Sequence, residues 1–170
     1  MLFAIRIATL FLIAVNMSMA LAHALEFPGK RRLDKNSYLA AQTIYYPGFT
    51  IAGSAEPLSA VATLVLFFMV RGNREASSLT LLSFLALVSM HVIFWAVTQP
   101  VNKFWLKAQQ LTSLGRRFFS ADANPAALQA DNELQDWRRM RDRWEYSHLV
   151  RALLSLIAFI AISASVVRYS

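Results

Sequence analysis

Cysteine is absent from this 170-residue chain. That one lack removes thiolate metal ligands, thiol nucleophiles, disulfides and Cys-bound iron-sulfur clusters together. Any metal held here must rest mainly on nitrogen and oxygen donors. Histidine is scarce, with three copies, and the 10 acidic residues are outnumbered by 17 basic ones. No internal repeat or low-complexity tract interrupts the chain. The short alternating segments of a membrane β-barrel are missing too, which leaves helices as the way to satisfy backbone groups in hydrocarbon.

Long apolar runs are what the chain has instead. With 56% hydrophobic residues and a mean hydropathy of +0.41, it is too apolar for an ordinary soluble domain of this size. Four runs, near 7–25, 49–70, 79–97 and 149–167, approach the roughly 20 residues needed to cross a bilayer. None is amphipathic enough for a surface helix. The expected fold is all-α, a four-helix transmembrane bundle forming a single integral membrane domain over 1–170. Ala22-His23-Ala24 also resembles the cleavage site of a secretory signal. The region before that first apolar core offers only Arg6 as a positive charge, and the run is read as a span.

The basic residues set the expected orientation. Lys30, Arg31, Arg32 and Lys35 fall in the first loop, and Lys103, Lys107, Arg116, Arg117, Arg138, Arg139, Arg141 and Arg143 in the third. The opposite face has Arg6, Arg71, Arg74 and Arg168, and Arg151 lies within the last span. This bias places the basic loops in the cytoplasm and both termini outside. The net charge of +7 is then explained by contact with an anionic leaflet, and no nucleic acid partner is called for.

The third connection is the longest and is expected to be helical, with Asn124-Pro125 as a start signal and a polar stretch running through Trp137 into the fourth span. Phe118 and Phe119 would rest on the membrane surface. Pro28-Gly29 and Pro47-Gly48 punctuate the first loop.

All three histidines, His23, His91 and His148, sit in or beside apolar runs, where ionisable groups are costly and become functional candidates. His23 and Glu26, and Glu145 and His148, are each three positions apart, so each pair shares a helix face. The topology brings both pairs to the same side of the membrane. His91 lies about 10 Å short of that end of the third span at 1.5 Å per residue. Glu56, followed by Pro57, lies at similar depth. Asn16 and His23 mark a polar stripe on the first helix, His91, Trp95, Thr98 and Asn102 one on the third, and Arg141, Trp144, His148, Arg151 and Ser155 one on the fourth.

The expected metal ligands are therefore His23, Glu26, His91, Glu145 and His148, with iron or copper favoured. Two His and one carboxylate suit non-haem iron, and two histidines would also serve a b-type haem. The paired Glu-x-x-His halves of di-iron bundles are half matched, because the first helix has the reversed order. Glu145, His148 and Arg151 are the expected catalytic residues, and Trp95, Trp105 and Trp144 would form apolar walls. In the plainer reading the histidines are packing residues, Glu145 and Arg151 a structural ion pair, and Glu56 a partner for backbone groups freed by Pro57.

Thr98-Gln99-Pro100-Val101-Asn102, then Trp105, Trp137 and the run Arg143-Trp144-Glu145-Tyr146-Ser147-His148-Leu149-Val150-Arg151 resemble the anthrone oxygenase-like membrane proteins. The resemblance covers roughly the second half of the chain. It implies a small four-helix membrane protein, with some members oxidising aromatic polyketide anthrones with dioxygen. On that resemblance Asn102, Trp144, His148 and Arg151 would line the pocket, with Asn102, Trp105 and Trp144 contacting a cofactor or substrate. The expectation is a membrane oxidoreductase with a metal or haem site and a small hydrophobic substrate. A cofactor-free variant uses Glu or His as base, and a non-catalytic carrier or assembly subunit binding a lipid, quinone or partner helix is the alternative.

Overall fold

The computed structural model describes the backbone of residues 1–105 and 130–169 and the side chains of residues 1–102 and 137–169. Every regular element among the described residues is helical. In chain order these are α1 (Leu2–Lys30), α2 (Lys35–Gln42), a 3-10 turn (Thr43–Tyr45), α3 (Gly48–Ala52), α4 (Ala55–Val70), α5 (Arg74–Ile93), a π-helical turn (Phe94–Thr98), α6 (Gln99–Trp105) and α7 (Ala130–Arg168). Four stretches are long and apolar enough to cross a membrane: Leu2–Lys30, Gly48–Val70, Arg74–Asn102 and Trp137–Arg168. The protein is a multi-pass membrane helix bundle. The starting region of the third connection, with Phe118, Phe119 and Asn124-Pro125, lies outside the described residues.

α7 packs along α5 and α1, and α4 packs along the same two from the other side, closing a four-helix ring. The inward stripes explain this arrangement. α1 buries Thr9, Ile13, Asn16, Ala20 and His23, and α5 buries Ala76, Thr80, Ser83, Leu87 and Met90. On α7, Trp137, Arg141, Trp144, His148, Arg151, Ser155, Ala158, Ile162 and Ser165 are buried at alternating steps of three and four. Steps of three and four keep one helix face on a neighbour. These inward residues are largely small or polar, whereas Phe3, Phe11, Val61, Phe68, Leu85, Leu153 and Ile160 face outward. In lipid that inversion is favourable, because small residues let helices approach and large ones meet acyl chains.

The two ends of the bundle differ. Near the tight connection between α4 and α5, Ile13, Leu66, Val70, Ala76, Leu87, Ala158 and Ile162 form an apolar core. Asn73 caps α5 there by accepting from the Glu75 and Ala76 amides at 3.1 and 3.0 Å. At the opposite end Tyr38, Val101, Trp137 and Trp144 cluster around polar groups. Helix α1 runs past Pro28 to Lys30, so Lys30 belongs to the helix and is buried, contrary to its expected place in the first loop. Helix α2 is capped by Asp34, whose carboxylate accepts from the Ser37 amide at 2.8 Å. That hydrogen bond holds the Asp34 carboxyl below its ordinary range.

Candidate functional site

Helix α1 delivers His23, Glu26 and Lys30 to one face, at spacings of three and four residues. Helix α7 delivers Trp144, Glu145, His148 and Arg151 opposite them. The result is a direct meeting of two imidazoles: the His23 and His148 rings lie 4.2 Å apart between centroids with their planes tilted by 32°. Trp144 stands edge-on to both, at 4.0 Å from His148 and 5.0 Å from His23. Tyr45 and Phe49 close the other side of His23 at 4.5 and 4.7 Å. Both histidines are buried, so the pair sits in an aromatic box.

Above the pair lies a charged layer. The Lys30 ammonium is 3.3 Å from Glu145 Oε1 and 3.4 Å from Glu26 Oε2, and it lies over the Trp144 and Tyr45 rings at 4.6 and 5.3 Å. A buried cation between carboxylates and aromatic faces is compensated by both. Tyr38, on helix α2, donates its hydroxyl to Glu145 Oε1 at 2.9 Å, and Tyr45 donates to Glu26. Burial first, and then the Glu145 carboxylate, push the Tyr38 hydroxyl well above the ordinary phenol range. For Tyr45 the causes are burial and the hydrogen bond to Glu26. Both phenols therefore remain donors.

Below the pair lies a second polar network. Arg151 donates from Nη1 to His148 Nδ1 at 3.2 Å and from Nη2 to Glu56 Oε2 at 2.6 Å. Glu56 Oε1 is 3.1 Å from His91 Nδ1, and Trp95 donates to His91 Nε2 at 2.9 Å. Arg151 thus pairs with Glu56, where the plainer reading paired it with Glu145. Glu56 consequently joins α4 to α7 through its side chain. Trp95, expected as a wall, is half-exposed on the outer face.

The π-helical turn Phe94–Thr98 aims the end of the third span back at the site. At its last residue, Thr98 meets Ser147 at 2.9 Å, and beyond it Asn102 accepts from the Trp144 indole at 2.8 Å while bonding Gln99 at 3.3 Å. Asn102 fixes the Trp144 ring against the histidines. The side chain of Trp105 lies outside the described residues.

The expected metal ligands fall into two sets. His23, Glu26, Glu145 and His148 gather at one level, whereas His91 has both ring nitrogens engaged by Glu56 and Trp95 on the far side of Arg151. Among the described residues, no group of three or more His, Asp and Glu side chains is placed to hold a metal ion. The physical reason is visible. Lys30 lies between the carboxylates, Arg151 covers His148 Nδ1, and the two tilted imidazoles, 4.2 Å apart, leave no room for a haem plane between them. As placed, these side chains do not fit a metal site of three or more such ligands, or a haem between the two imidazoles.

Sequence reasoning missed Lys30, Tyr38 and Tyr45 as members of the site. For Lys30 a signal existed, since it follows His23 and Glu26 at helical spacing. Tyr38 and Tyr45 gave none, because their approach depends on the fold of the first connection.

The anthrone oxygenase family model matches residues 41–161. The matched stretch takes in Glu56, His91, Asn102 and the Trp144–Arg151 segment, and so reaches well ahead of the motifs in the second half. His23, Glu26, Lys30 and Tyr38 lie before it. Comparisons with curated proteins and with solved structures give no match. Since the family model spans most of the sequence, including two of the four spans whole and most of the last, this chain belongs to the anthrone oxygenase family.

Proposed function

We propose that the protein is an integral membrane oxygenase acting on a flat, hydrophobic aromatic ketone of the anthrone class, with dioxygen as oxidant and the His23–His148 pair as reacting centre. The observation that carries this reading is the buried imidazole pair, walled by Trp144, Tyr45 and Phe49 and set between Lys30 and Arg151. Aromatic walls suit stacking with a planar ring system. Imidazole is the commonest general base, and nearby cations favour a developing anion in a dry site.

The chemistry follows from those parts. An anthrone methylene lies between two aryl rings and is conjugated with the ketone. Loss of its proton to an imidazole sends the electron pair to the ketone oxygen and makes the central ring aromatic. Lys30 and Arg151 supply positive potential where that oxygen becomes negative. Dioxygen accepts the electrons and bonds to the former methylene carbon, and loss of water leaves a second carbonyl. One substrate and one dioxygen give one quinone and one water. The residues of this chain supply the base, the positive field and the exclusion of bulk water.

The reading extends to orientation. The loop joining α1 to α4 and the long third connection carry most of the basic residues and would face the cytoplasm, with both termini opposite. The site would then lie near the cytoplasmic leaflet.

The test uses protein purified in detergent and an anthrone dissolved in the micelles. An oxygen electrode and quinone absorbance follow the reaction. Wild-type protein is expected to consume about one dioxygen per quinone formed, and His148→Ala and His23→Ala each to lower kcat/KM by about 100-fold. Turnover at the wild-type rate in both variants would contradict the assignment.

A further inference from the structure

The two imidazoles are not equivalent, and the hydrogen bonds around them divide their roles. Arginine has donors only. The Arg151 Nη1 contact with His148 Nδ1 at 3.2 Å therefore exists only while Nδ1 keeps its lone pair. That places the proton of the neutral ring on Nε2. This Nε2 is buried without a hydrogen-bond partner among the described residues. A buried N–H left unpaired is costly, so it marks the place where an acceptor atom of a ligand would sit.

Arg151 is itself held in one direction. Its other terminal nitrogen donates to Glu56 at 2.6 Å. The far oxygen of Glu56 faces His91, whose Nε2 accepts from Trp95, so the His91 proton lies on Nδ1 and points at Glu56. Donors thus run from Trp95 through His91 into Glu56, and from Arg151 to both Glu56 and His148. Both donor directions are set by groups that cannot reverse them, the indole N–H and the guanidinium. His23 stands outside this chain. Its Nδ1 is buried and has no hydrogen-bond partner among the described residues, and Glu26 Oε2 is 4.0 Å away.

We infer that His148 binds a ketone or phenolate oxygen of the ligand as a donor through Nε2–H, and that His23 is the group that accepts the substrate proton. This rests on the proposed oxygenase reading for the reaction, but the tautomer of His148 stands without it. Glu56 is a positioning residue that acts on the ligand through Arg151 and His148, and Arg151 sets the His148 tautomer besides lending its charge.

Because the chain has three histidines, selective 15N-histidine labelling gives a spectrum with few resonances. In detergent-solubilised wild-type protein, His148 is expected as the Nε2–H tautomer with unprotonated Nδ1, and His91 as the Nδ1–H tautomer. Trp95→Phe is expected to shift the tautomer of His91 and leave that of His148 unchanged. Arg151→Met is expected to move the His148 tautomer ratio toward Nδ1–H by tenfold or more. A wild-type His148 carrying its proton on Nδ1 overturns the inference, whatever the variants do. The kinetic arm separates donor from base. His148→Gln keeps an N–H donor and is expected within about tenfold of wild type, while His148→Leu and His23→Gln lose about 100-fold. The reverse pattern, an active His23→Gln and an inactive His148→Gln, would overturn the division of roles. Wild-type protein that turns over no anthrone would instead refute the oxygenase reading and leave the NMR result to decide the donor.

Discussion

Lys30 holds together the charged layer above the histidines, touching both carboxylates and two aromatic faces. Its removal would leave Glu145, which is fully buried, with an uncompensated charge. Breaking one partner of a buried pair costs about 3–5 kcal/mol, far more than an exposed pair is worth. Lys30→Met is therefore expected to lower thermal stability in detergent by several degrees, and adding Glu145→Gln to restore most of the loss. Tyr38 gives a second test, at high pH. Its folded hydroxyl is raised above the unfolded value, so the stability it contributes is present below about pH 10 and lost as pH rises further. Tyr38→Phe should flatten alkaline unfolding, followed by circular dichroism, compared with wild type. At this scale the sequence was informative wherever partners shared a helix. That His23 and Glu26 share a face, 4.0 Å apart, was legible from spacing alone; Glu145 shares a helix with His148 but turns to Tyr38 and Lys30 instead. The pairing of Arg151 with Glu56 was not, because a partner 95 positions away leaves no local pattern.

The elements explain why the site is at one end. Inward stripes at steps of three and four change character along α1 and α7, from Ile13, Ala158 and Ile162 in the apolar core to His23, Trp144 and His148 near the loops. The spans and the joining of the third connection to the fourth helix could be read from hydropathy. The π-helical turn could not, since nothing in Phe94-Trp95-Ala96-Val97-Thr98 distinguishes it from continued α-helix. A π turn holds one residue more than the α turn it replaces. It lets both His91 before it and Asn102 after it meet their partners. Deleting half-buried Val97 is therefore expected to convert the turn to α-helix while the flanking contacts stay in register, changing the melting temperature by only a few degrees. Deleting Leu85 from the regular part of α5 should rotate everything after it by about 100° and abolish folding. Equal losses in the two deletions, measured by thermal unfolding, would show that the turn does not act as an inserted residue.

For the whole molecule, the inversion of large residues outward and small or polar residues inward ties membrane residence to function. A bundle whose interior needs no bulky apolar packing can hold buried charges, provided they are paired. The low amphipathicity that marked the runs as spans is the same property seen in sequence. Orientation can be tested because the chain has no cysteine. Single Asn36→Cys and Gly72→Cys proteins are expected to react with a membrane-impermeant maleimide from opposite sides of a sealed membrane, position 72 from outside. Labelling of position 36 from outside would reverse the proposed topology. The central claim is that a histidine pair and the cations of this chain suffice for the oxidation. It is tested most directly by dioxygen uptake with an anthrone, using protein stripped by chelator and shown metal-free by elemental analysis. The account predicts undiminished turnover per protein. Turnover that disappears on stripping and returns only with iron or copper would contradict it.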